Sequence, residues 1–346
     1  MTSRTTLIGF LVFLAFAIAL QMHGGAYHVD FSGNPDEPAH YVSGVMVRDY
    51  LAAFPWQAPM PFARDFYSHY PIVAIGHWPP MFYAVQAMWT LPFGVSRLSV
   101  VLLIAVLSGA TATVVFASWR RRFGAAAAGA LALALLSVPI VQEYGRMVMA
   151  EMLVALFTML AVAAYSKYLH TEDWRDSLRF ALAASAAILT KPNGLALALV
   201  PILAVIAARR VNLWQRFSYW LPAIVVVLVC APWYVLTADL AREGWSASYE
   251  PSWLLREPAV DNAWHLIRIA GAPVFVLALM GMAYELWPGR REPVNPDSAV
   301  MAALLCSVWL FHSFIVPVRD ARHLIPAIPA LIGLSAIALA ALAGAI

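Results

Sequence analysis

The chain has 346 residues, of which 62% are hydrophobic and 12% are charged, and its formal net charge is +3. Soluble domains are about 45–50% apolar and about 25% charged, so this composition excludes an ordinary soluble domain and indicates a polytopic membrane protein. The two cysteines, Cys230 and Cys306, both fall inside apolar runs, which excludes a disulfide framework.

The first apolar run extends from Leu7 to Leu20 after Arg4 and predicts a helix that enters the membrane from the inside. A signal-peptide cleavage site near Gly24 is the alternative, but because many apolar segments follow, we expect an uncleaved helix. Residues 23–96 then form a long first outer loop rich in Trp, Tyr, His and Pro. Within this loop we expect an amphipathic helix at 36–53 and an interfacial helix at 79–92, too short for a crossing of roughly 20 residues.

Nine further apolar segments predict transmembrane helices, at 97–119, 124–141, 148–166, 179–191, 192–208, 217–237, 265–287, 298–317 and 323–343. The pair that flanks Lys191 and Pro192 could instead be one kinked helix. With ten spans, a compact arginine group falls in each inner loop, as the positive-inside rule requires. We therefore expect an all-α fold in which residues 1–346 form a single transmembrane domain of the plasma (inner) membrane, with a later outer loop at 238–264.

The same topology gathers ionisable side chains at the outer boundary. They come from four loops: Asp36, Glu37, His40 and His77 from the first, Glu143, Arg146 and Glu151 from the second, Lys191 from the third, and Arg322 and His323 from the fourth. Ionisable groups at this depth are costly unless they face water or one another, so we expect a functional site on this side.

Acids and bases in this arrangement suit the transfer of a group from a lipid-phosphate donor. A carboxylate can take the proton of an acceptor hydroxyl, and cationic side chains can hold the leaving phosphate. Because the leaving group is already a phosphate, a metal is optional. A divalent ion with Asp36 and Glu151 among its oxygen ligands is left open.

Four short motifs resemble those of the GT-C glycosyltransferases. They are Asp-Glu at 36–37, His-x-Pro-Pro-x-x-Tyr at 77–83, Arg-x-x-x-x-Glu at 146–151 and Arg-His-x-x-Pro-x-x-Pro at 322–329. The resemblance is strongest to the protein O-mannosyltransferase and aminoarabinose transferase branch, which uses polyprenyl-phosphate sugars. An aromatic residue often stands in that branch where this chain has His323.

The resemblance implies roles for the matched residues. Asp36 would be the catalytic base, with Glu37 beside it in the same catalytic motif. His77, Arg146, Arg322 and His323 would contact the donor phosphate, to which the position of Lys191 adds a fifth candidate. Glu151, and Glu143 before it, would form a second acidic site.

Simpler interpretations stay open for each motif. Asp36 and Glu37 also suit the first turn of a helix, where acidic groups favour the helix dipole. His77 and the residues after it suit an interfacial anchor, Arg146 suits an ion pair with Glu143 or Glu151, and Lys191 suits a cation that snorkels to the headgroups. The aromatic residues of 245–264 suit either an acceptor groove or the bilayer surface.

The sequence thus predicts an inverting membrane glycosyltransferase on the periplasmic or extracytoplasmic face. It would move a sugar from a polyprenyl-phosphate donor to a hydroxyl of a lipid, glycan or protein acceptor, and no nucleic-acid partner is expected. The alternative is a transporter or flippase for a lipid-linked or anionic solute. The lack of an internal repeat and of strongly charged residues at span centres disfavours that alternative.

Overall fold

The computed structural model of the protein describes residues 3–54, 56–74, 76–240, 256–289, 293–316 and 319–344, and across these ranges it contains helices and no β-strand. The α-helices are α1 (Ser3–His23), α2 (Asp36–Ala52), α3 (Pro59–His69), α4 (Met81–Phe93), α5 (Arg97–Ser137), α6 (Pro139–Gly145), α7 (Glu151–Thr171), α8 (Trp174–Thr190), α9 (Val200–Ala207), α10 (Phe217–Leu236), α11 (Arg256–Ala270), α12 (Ala272–Leu286), α13 (Pro296–Leu310) and α14 (Ile328–Leu342). Short 3₁₀ segments cover Pro192–Leu199, Val211–Gln215 and Ala321–Ala327, and a π-helical segment covers Phe311–Ile315.

The predicted all-α, polytopic membrane architecture is confirmed, whereas the count of ten spans is not. In the described part of the chain, six helical stretches are long and apolar enough to cross a membrane, and α11 with α12, bent by 109°, would make a seventh. Helix α8 has only 17 residues, and the helical stretch Pro192–Ala207 is shorter still. Predicted span 97–119 and most of predicted span 124–141 lie in α5, where Gly124 adopts a φ of 80° that a residue with a side chain rarely takes.

The chain reverses direction at Lys191, whose extended backbone separates α8 from the 3₁₀ segment Pro192–Leu199. Gly194 then lies directly on the last turns of α8. A Cβ atom at this position would be 2.6 Å from the carbonyl carbon of Ala187, so only glycine allows the approach. The two segments are therefore separate elements and not one kinked helix.

The first outer loop contains the two helices that the sequence predicted and one that it did not. Helices α2 and α4 correspond to the predictions at 36–53 and 79–92, and α3 lies between them. Helix α2 packs on α4 at Gly44, where the Gln86 side chain occupies the space that a larger residue would need. Because Gln86 Nε2 also donates a 2.8 Å hydrogen bond to the Tyr41 carbonyl oxygen, α2 is fixed against α4.

Ion pairs also hold the opposite end of the helix bundle. Helix α7 runs from Glu151 to Thr171 and is about 30 Å long at 1.5 Å per residue. At its far end Lys167 pairs with Asp176 at 3.1 Å, and Arg122 pairs with Glu285 at 2.9 Å. These segments, which the sequence analysis placed on the inner side of the membrane, thus lie far from Asp36.

Candidate functional site

An ion pair between Asp36, the first residue of α2, and Arg322 lies at the centre of the candidate site. The Asp36 carboxylate, 27% exposed, accepts a 2.8 Å hydrogen bond from Arg322 Nη1. Arg322 Nε lies 2.8 Å from Asp320 Oδ2 and 4.0 Å from Glu151 Oε1. The turn before α2 is capped by Asn34, whose Oδ1 accepts from the Asp36 backbone N–H at 3.0 Å. The Asp36 side chain is therefore available to the site and is not the cap of its own helix.

Glu37 points the other way and is fully buried. Its Oε1 accepts from Arg97 Nη2 at 3.1 Å and from the Val148 backbone N–H at 3.0 Å, while Oε2 accepts from the Ser32 N–H at 2.7 Å. Arg97 also donates to the Ala26 carbonyl oxygen at 2.6 Å. One carboxylate thus joins the first loop, the start of α5 and the turn before α7. Arg97 was missed by the sequence reasoning because a cation at the start of an apolar helix is also typical of a simple interfacial anchor.

Lys191 and Glu151 form a buried ion pair, in which Lys191 Nζ donates to Glu151 Oε1. Both side chains are less than a tenth exposed. This pairing brings the third outer turn to the beginning of α7, next to Arg322. Glu143, predicted to belong with Glu151, is instead exposed.

Arg146 lies away from these charges. Its Nη1 donates to the Gly24 carbonyl oxygen at 3.2 Å, next to the end of α1, and its own carbonyl oxygen accepts from Arg97 Nη2 at 3.4 Å. It forms an ion pair with neither Glu143 nor Glu151, because the turn after α6 directs it toward α1. The ion pair considered from the sequence is therefore not formed.

Two histidines of the first loop, His40 and His77, flank the Asp36 side of the site. The buried His40 ring stacks on Trp78 with centroids 4.2 Å apart, and its Nδ1 lies 3.0 Å from the Tyr83 hydroxyl. Burial, reinforced by the Lys191 charge, lowers the pKa of His40 to about 3, although Asp36 acts in the opposite direction. His40 is thus neutral at physiological pH. His77 contacts the Trp78 ring edge-on at 4.8 Å, and burial lowers its pKa while Asp36 raises it.

His323 follows Arg322 and lies beside a histidine that the sequence reasoning did not select. The His323 and His312 rings have centroids 5.4 Å apart. His312 is buried in the π-helical segment Phe311–Ile315. A π-helical turn has no sequence signature of its own in an apolar run, so only the fold reveals this neighbour.

The residues considered for a divalent ion do not fit that role. The ranges that the structure covers contain no group of three or more His, Cys, Asp or Glu side chains that could hold a metal ion. Asp36 and Glu151 are each engaged by a fixed cation, Arg322 and Lys191 respectively. The positive charges of Arg322 and Lys191 beside these two carboxylates therefore disfavour a further cation at this position.

The aromatic set predicted at 245–264 is only partly described. Trp245, Tyr249 and Trp253 lie outside the described residues. Trp264 lies on α11, is exposed, and has the Arg268 guanidinium 5.7 Å from its ring centroid. An exposed Trp beside an Arg suits the membrane surface as well as it suits a ligand.

Comparison with known proteins identifies a family model that matches part of the chain and solved structures with a similar fold. A family model described as dolichyl-phosphate-mannose-protein mannosyltransferase matches residues 77–235. No functionally curated protein matches. The structure of ArnT from Cupriavidus metallidurans bound to undecaprenyl phosphate is similar over 95% of this chain and 59% of that chain, with a TM-score of 0.62 and 22% identity. Its apo state matches 98% of this chain and 60% of that chain, with a TM-score of 0.64 and 20% identity. The chain thus spans about 60% of the length of these structures.

Proposed function

We propose that this chain, which has the fold of the GT-C superfamily, is a membrane glycosyltransferase that uses a polyprenyl-phosphate sugar as its donor. The observation that carries the proposal is the contact between Asp36 and Arg322. The two residues that the sequence assigned to proton removal and to phosphate binding come from opposite ends of the chain and lie 2.8 Å apart.

In the proposed reaction Asp36 acts as the general base. Its carboxylate takes the proton from the acceptor hydroxyl as that oxygen attacks the anomeric carbon of the donor sugar. The new carbon–oxygen bond forms as the bond to the phosphate oxygen breaks, and the polyprenyl phosphate leaves with the bonding electrons. Attack from the side opposite the phosphate inverts the anomeric centre. The Arg322 guanidinium, whose Nη1 lies 2.8 Å from Asp36 Oδ2, holds the Asp36 carboxylate in place within the site.

Arg322 also has donors left for the leaving phosphate. A guanidinium carries five N–H groups. The hydrogen bond to Asp36 uses one of them, while Nε lies 2.8 Å from Asp320 Oδ2 without forming a hydrogen bond of good geometry. Lys191 adds a positive charge next to Arg322, on the far side of Glu151. Charge-assisted hydrogen bonds from these two cations would stabilise the negative charge that develops on the phosphate. His77 and His323 stay candidates for further phosphate contacts.

Glu37, in contrast, suits a positioning role within the Asp-Glu motif. Both of its oxygens already accept hydrogen bonds from buried or backbone donors. It holds the first turn of α2 against α5, so that Asp36 points toward Arg322. Arg146 suits a similar role, since it ties the second outer turn to the end of α1.

The active site of the proposed enzyme faces the extracytoplasmic side of the inner membrane. The support is the charge distribution: the arginine-rich loops lie at the end of the bundle opposite Asp36, and such loops remain in the cytoplasm. The acceptor is a hydroxyl-bearing lipid, glycan or protein on the same face.

The test is a transfer assay with the purified full chain, radiolabelled polyprenyl-phosphate sugars and a membrane extract that supplies acceptors. Wild type, Asp36→Asn and the matched control Asp49→Asn, which alters an aspartate at the other end of α2, are compared with and without a chelator. We expect a labelled product with wild type and the control, and a loss of about 10²–10⁴-fold with Asp36→Asn, as for removal of a general base. The chelator should leave transfer unchanged.

Two outcomes would overturn the proposal. Full transfer by Asp36→Asn would remove Asp36 from the mechanism. Binding of donors without any transfer by wild type would favour the transporter or flippase, which flux measurements in liposomes would then establish.

A further inference from the structure

Three segments that depart from α-helical geometry meet beside the Lys191–Glu151 pair. The 3₁₀ segment Pro192–Leu199 follows Lys191 directly and packs against the π-helical segment Phe311–Ile315. The second 3₁₀ segment, Ala321–Ala327, contributes His323 against His312. Irregular helical turns of this kind are frequent at functional sites because they redirect side chains that a regular helix would bury in its packing.

Polar atoms with no hydrogen-bond partner are concentrated at this meeting point. Among the residues that the structure describes, Asn193 forms no side-chain hydrogen bond although it is only 7% exposed. The two ring nitrogens of His312, a residue that is only 2% exposed, form no hydrogen bond of good geometry, although the Val316 backbone lies near the ring. Glu151 Oε2 and Asn262 Oδ1 are also unpartnered. Buried polar groups are almost always hydrogen-bonded, so several unpartnered ones in one place mark a position that a polar ligand or ordered water completes.

The fold fixes the positions of these groups but leaves the atoms named above without hydrogen-bond partners. Asn262 Nδ2 donates to the His312 carbonyl oxygen at 3.0 Å and so fixes the π-helical turn. Lys191, which pairs with Glu151, directly precedes the 3₁₀ segment that carries Asn193 and packs against the segment that carries His312. The unpartnered atoms therefore lie beside the same cation that the proposed reaction uses for the phosphate.

The chemistry of the open atoms distinguishes between possible ligands. A phosphate needs donors, as Arg322 and Lys191 supply. Asn193 offers donors and an acceptor, the imidazole of His312 offers an N–H donor and, in its neutral form, an acceptor as well, and the unpartnered oxygens of Glu151 and Asn262 offer acceptors only. A mixed set of this kind matches hydroxyl groups, each of which both donates and accepts.

The geometry points to a subsite, formed by Asn193, His312 and Glu151 Oε2 and positioned by Asn262, that binds the hydroxyl groups of a neutral sugar ring on the donor lipid. This inference rests on the proposed function and names the class of sugar. The Glu151 charge is already compensated by Lys191, with Arg322 4.0 Å away. An amino sugar would bring an additional positive charge next to these two cations, and an acidic sugar would bring a negative charge next to Glu151. A neutral hexose or pentose avoids both costs.

The test compares binding of two ligands to the purified full chain in detergent: polyprenyl phosphate alone, and polyprenyl-phosphate sugars with neutral, amino or acidic rings. The variants are Asn193→Ala and His312→Ala. The matched controls are Asn212→Ala, an exposed asparagine of the segment Val211–Gln215, and His170→Ala at the far end of α7. We expect wild type to bind a neutral-sugar donor at least tenfold more tightly than polyprenyl phosphate. Each subsite variant should reduce that preference about tenfold without changing affinity for polyprenyl phosphate, and the controls should change neither.

Three results would overturn the subsite. The variants could weaken the binding of both ligands equally, which would mean that the residues contact the phosphate or stabilise the fold. They could leave the preference intact, which would mean that ordered water fills the open positions. Wild type could prefer an amino or acidic sugar. None of these three results overturns the proposed function as long as wild type transfers label in the transfer assay. If the chain instead bound neutral-sugar donors through the subsite but never transferred the sugar, the proposed function would be overturned and the subsite would remain.

Discussion

Asp36 and Arg322 are 286 positions apart in the sequence, yet Oδ2 of the first and Nη1 of the second are 2.8 Å apart. The first loop and the segment before the last helix therefore meet at this ion pair. Because Arg322 also approaches Asp320 and Glu151, it lies among three carboxylates. A planar group with five donors can serve several partners at once, which an ammonium cannot.

Arg322→Lys should therefore lower transfer by at least about tenfold while the fold is retained. Lysine keeps the positive charge but is a point charge on a flexible stem, so it cannot bridge Asp36 and a phosphate in the same geometry. Transfer rates and thermal unfolding in detergent are the measurements. Arg319→Lys, which changes an exposed arginine paired with Glu257, is the control and should behave as wild type. Equal rates for Arg322→Lys and wild type would show that only the charge matters.

Glu37→Gln should destabilise the protein by about 3–5 kcal/mol, the usual cost of removing one partner of a buried ion pair. The change leaves Arg97 buried without its counter-charge and weakens the bonds from the Val148 and Ser32 N–H groups. Thermal unfolding in detergent, compared with Asp36→Asn, is the measurement. Asp36→Asn should unfold near the wild-type temperature, because its side chain is partly exposed. A stable Glu37→Gln protein with no transfer activity would instead move Glu37 into the chemistry.

The buried His40 predicts a loss of stability as the pH falls. Its pKa in the folded protein is about 3, whereas in the unfolded chain it is about 6.5. Between these values the unfolded state binds a proton that the folded state does not, so stability decreases by up to about 1.4 kcal/mol per pH unit as the pH falls below about 6.5. The unfolding temperature of wild type should thus fall more steeply between pH 7.5 and 5 than that of His40→Gln.

The control for that measurement is His28→Gln, which removes an exposed histidine from the same loop. It should follow the wild-type curve. If His40→Gln and wild type show the same dependence on pH, then His40 is protonated in the folded protein and the neutral assignment fails.

Gly194→Ala should reduce stability and transfer together. The added Cβ would lie 2.6 Å from the Ala187 carbonyl carbon, and a backbone atom cannot move aside as a flexible side chain can. Overpacking of this kind costs about 1–3 kcal/mol, and the shift would displace Lys191, three residues earlier. Gly129→Ala, at a helical glycine with open space around it, is the matched control. An unchanged transfer rate in Gly194→Ala would show that the Lys191 turn tolerates displacement.

Much of the fold could be predicted from the sequence because apolar periodicity is a local signal. The helices at Asp36–Ala52 and Met81–Phe93 were found this way, as were the apolar segments of the bundle. The length of a span is harder to predict: the stretch Pro192–Ala207 is apolar but too short to count as a crossing, and α8 has only 17 residues. Helix α3 was missed because prolines at 59 and 61 are typical of a loop as well as of a helix start.

The candidate site was predictable as a set of residues but not as a set of pairs. Charge placement selected Asp36, Glu151, Lys191 and Arg322, and the structure brings all four together. The alternative interpretation of Arg146, an ion pair with acidic neighbours, rested on closeness along the chain, whereas its partner is the Gly24 carbonyl oxygen next to the end of α1. Partners across long sequence separations depend on how helices cross, and a single sequence does not contain that information.

The three donors to the Glu37 carboxylate give the catalytic end of the bundle its own spectroscopic reporter. The Val148 amide proton is buried and donates to Glu37, not to the backbone of a helix. Its exchange with deuterium requires that the first turn of α2 separates from α5 and from the turn before α7. The exchange rate of this one amide would thus report, without any substrate, how often the loop that carries Asp36 detaches from the rest of the protein.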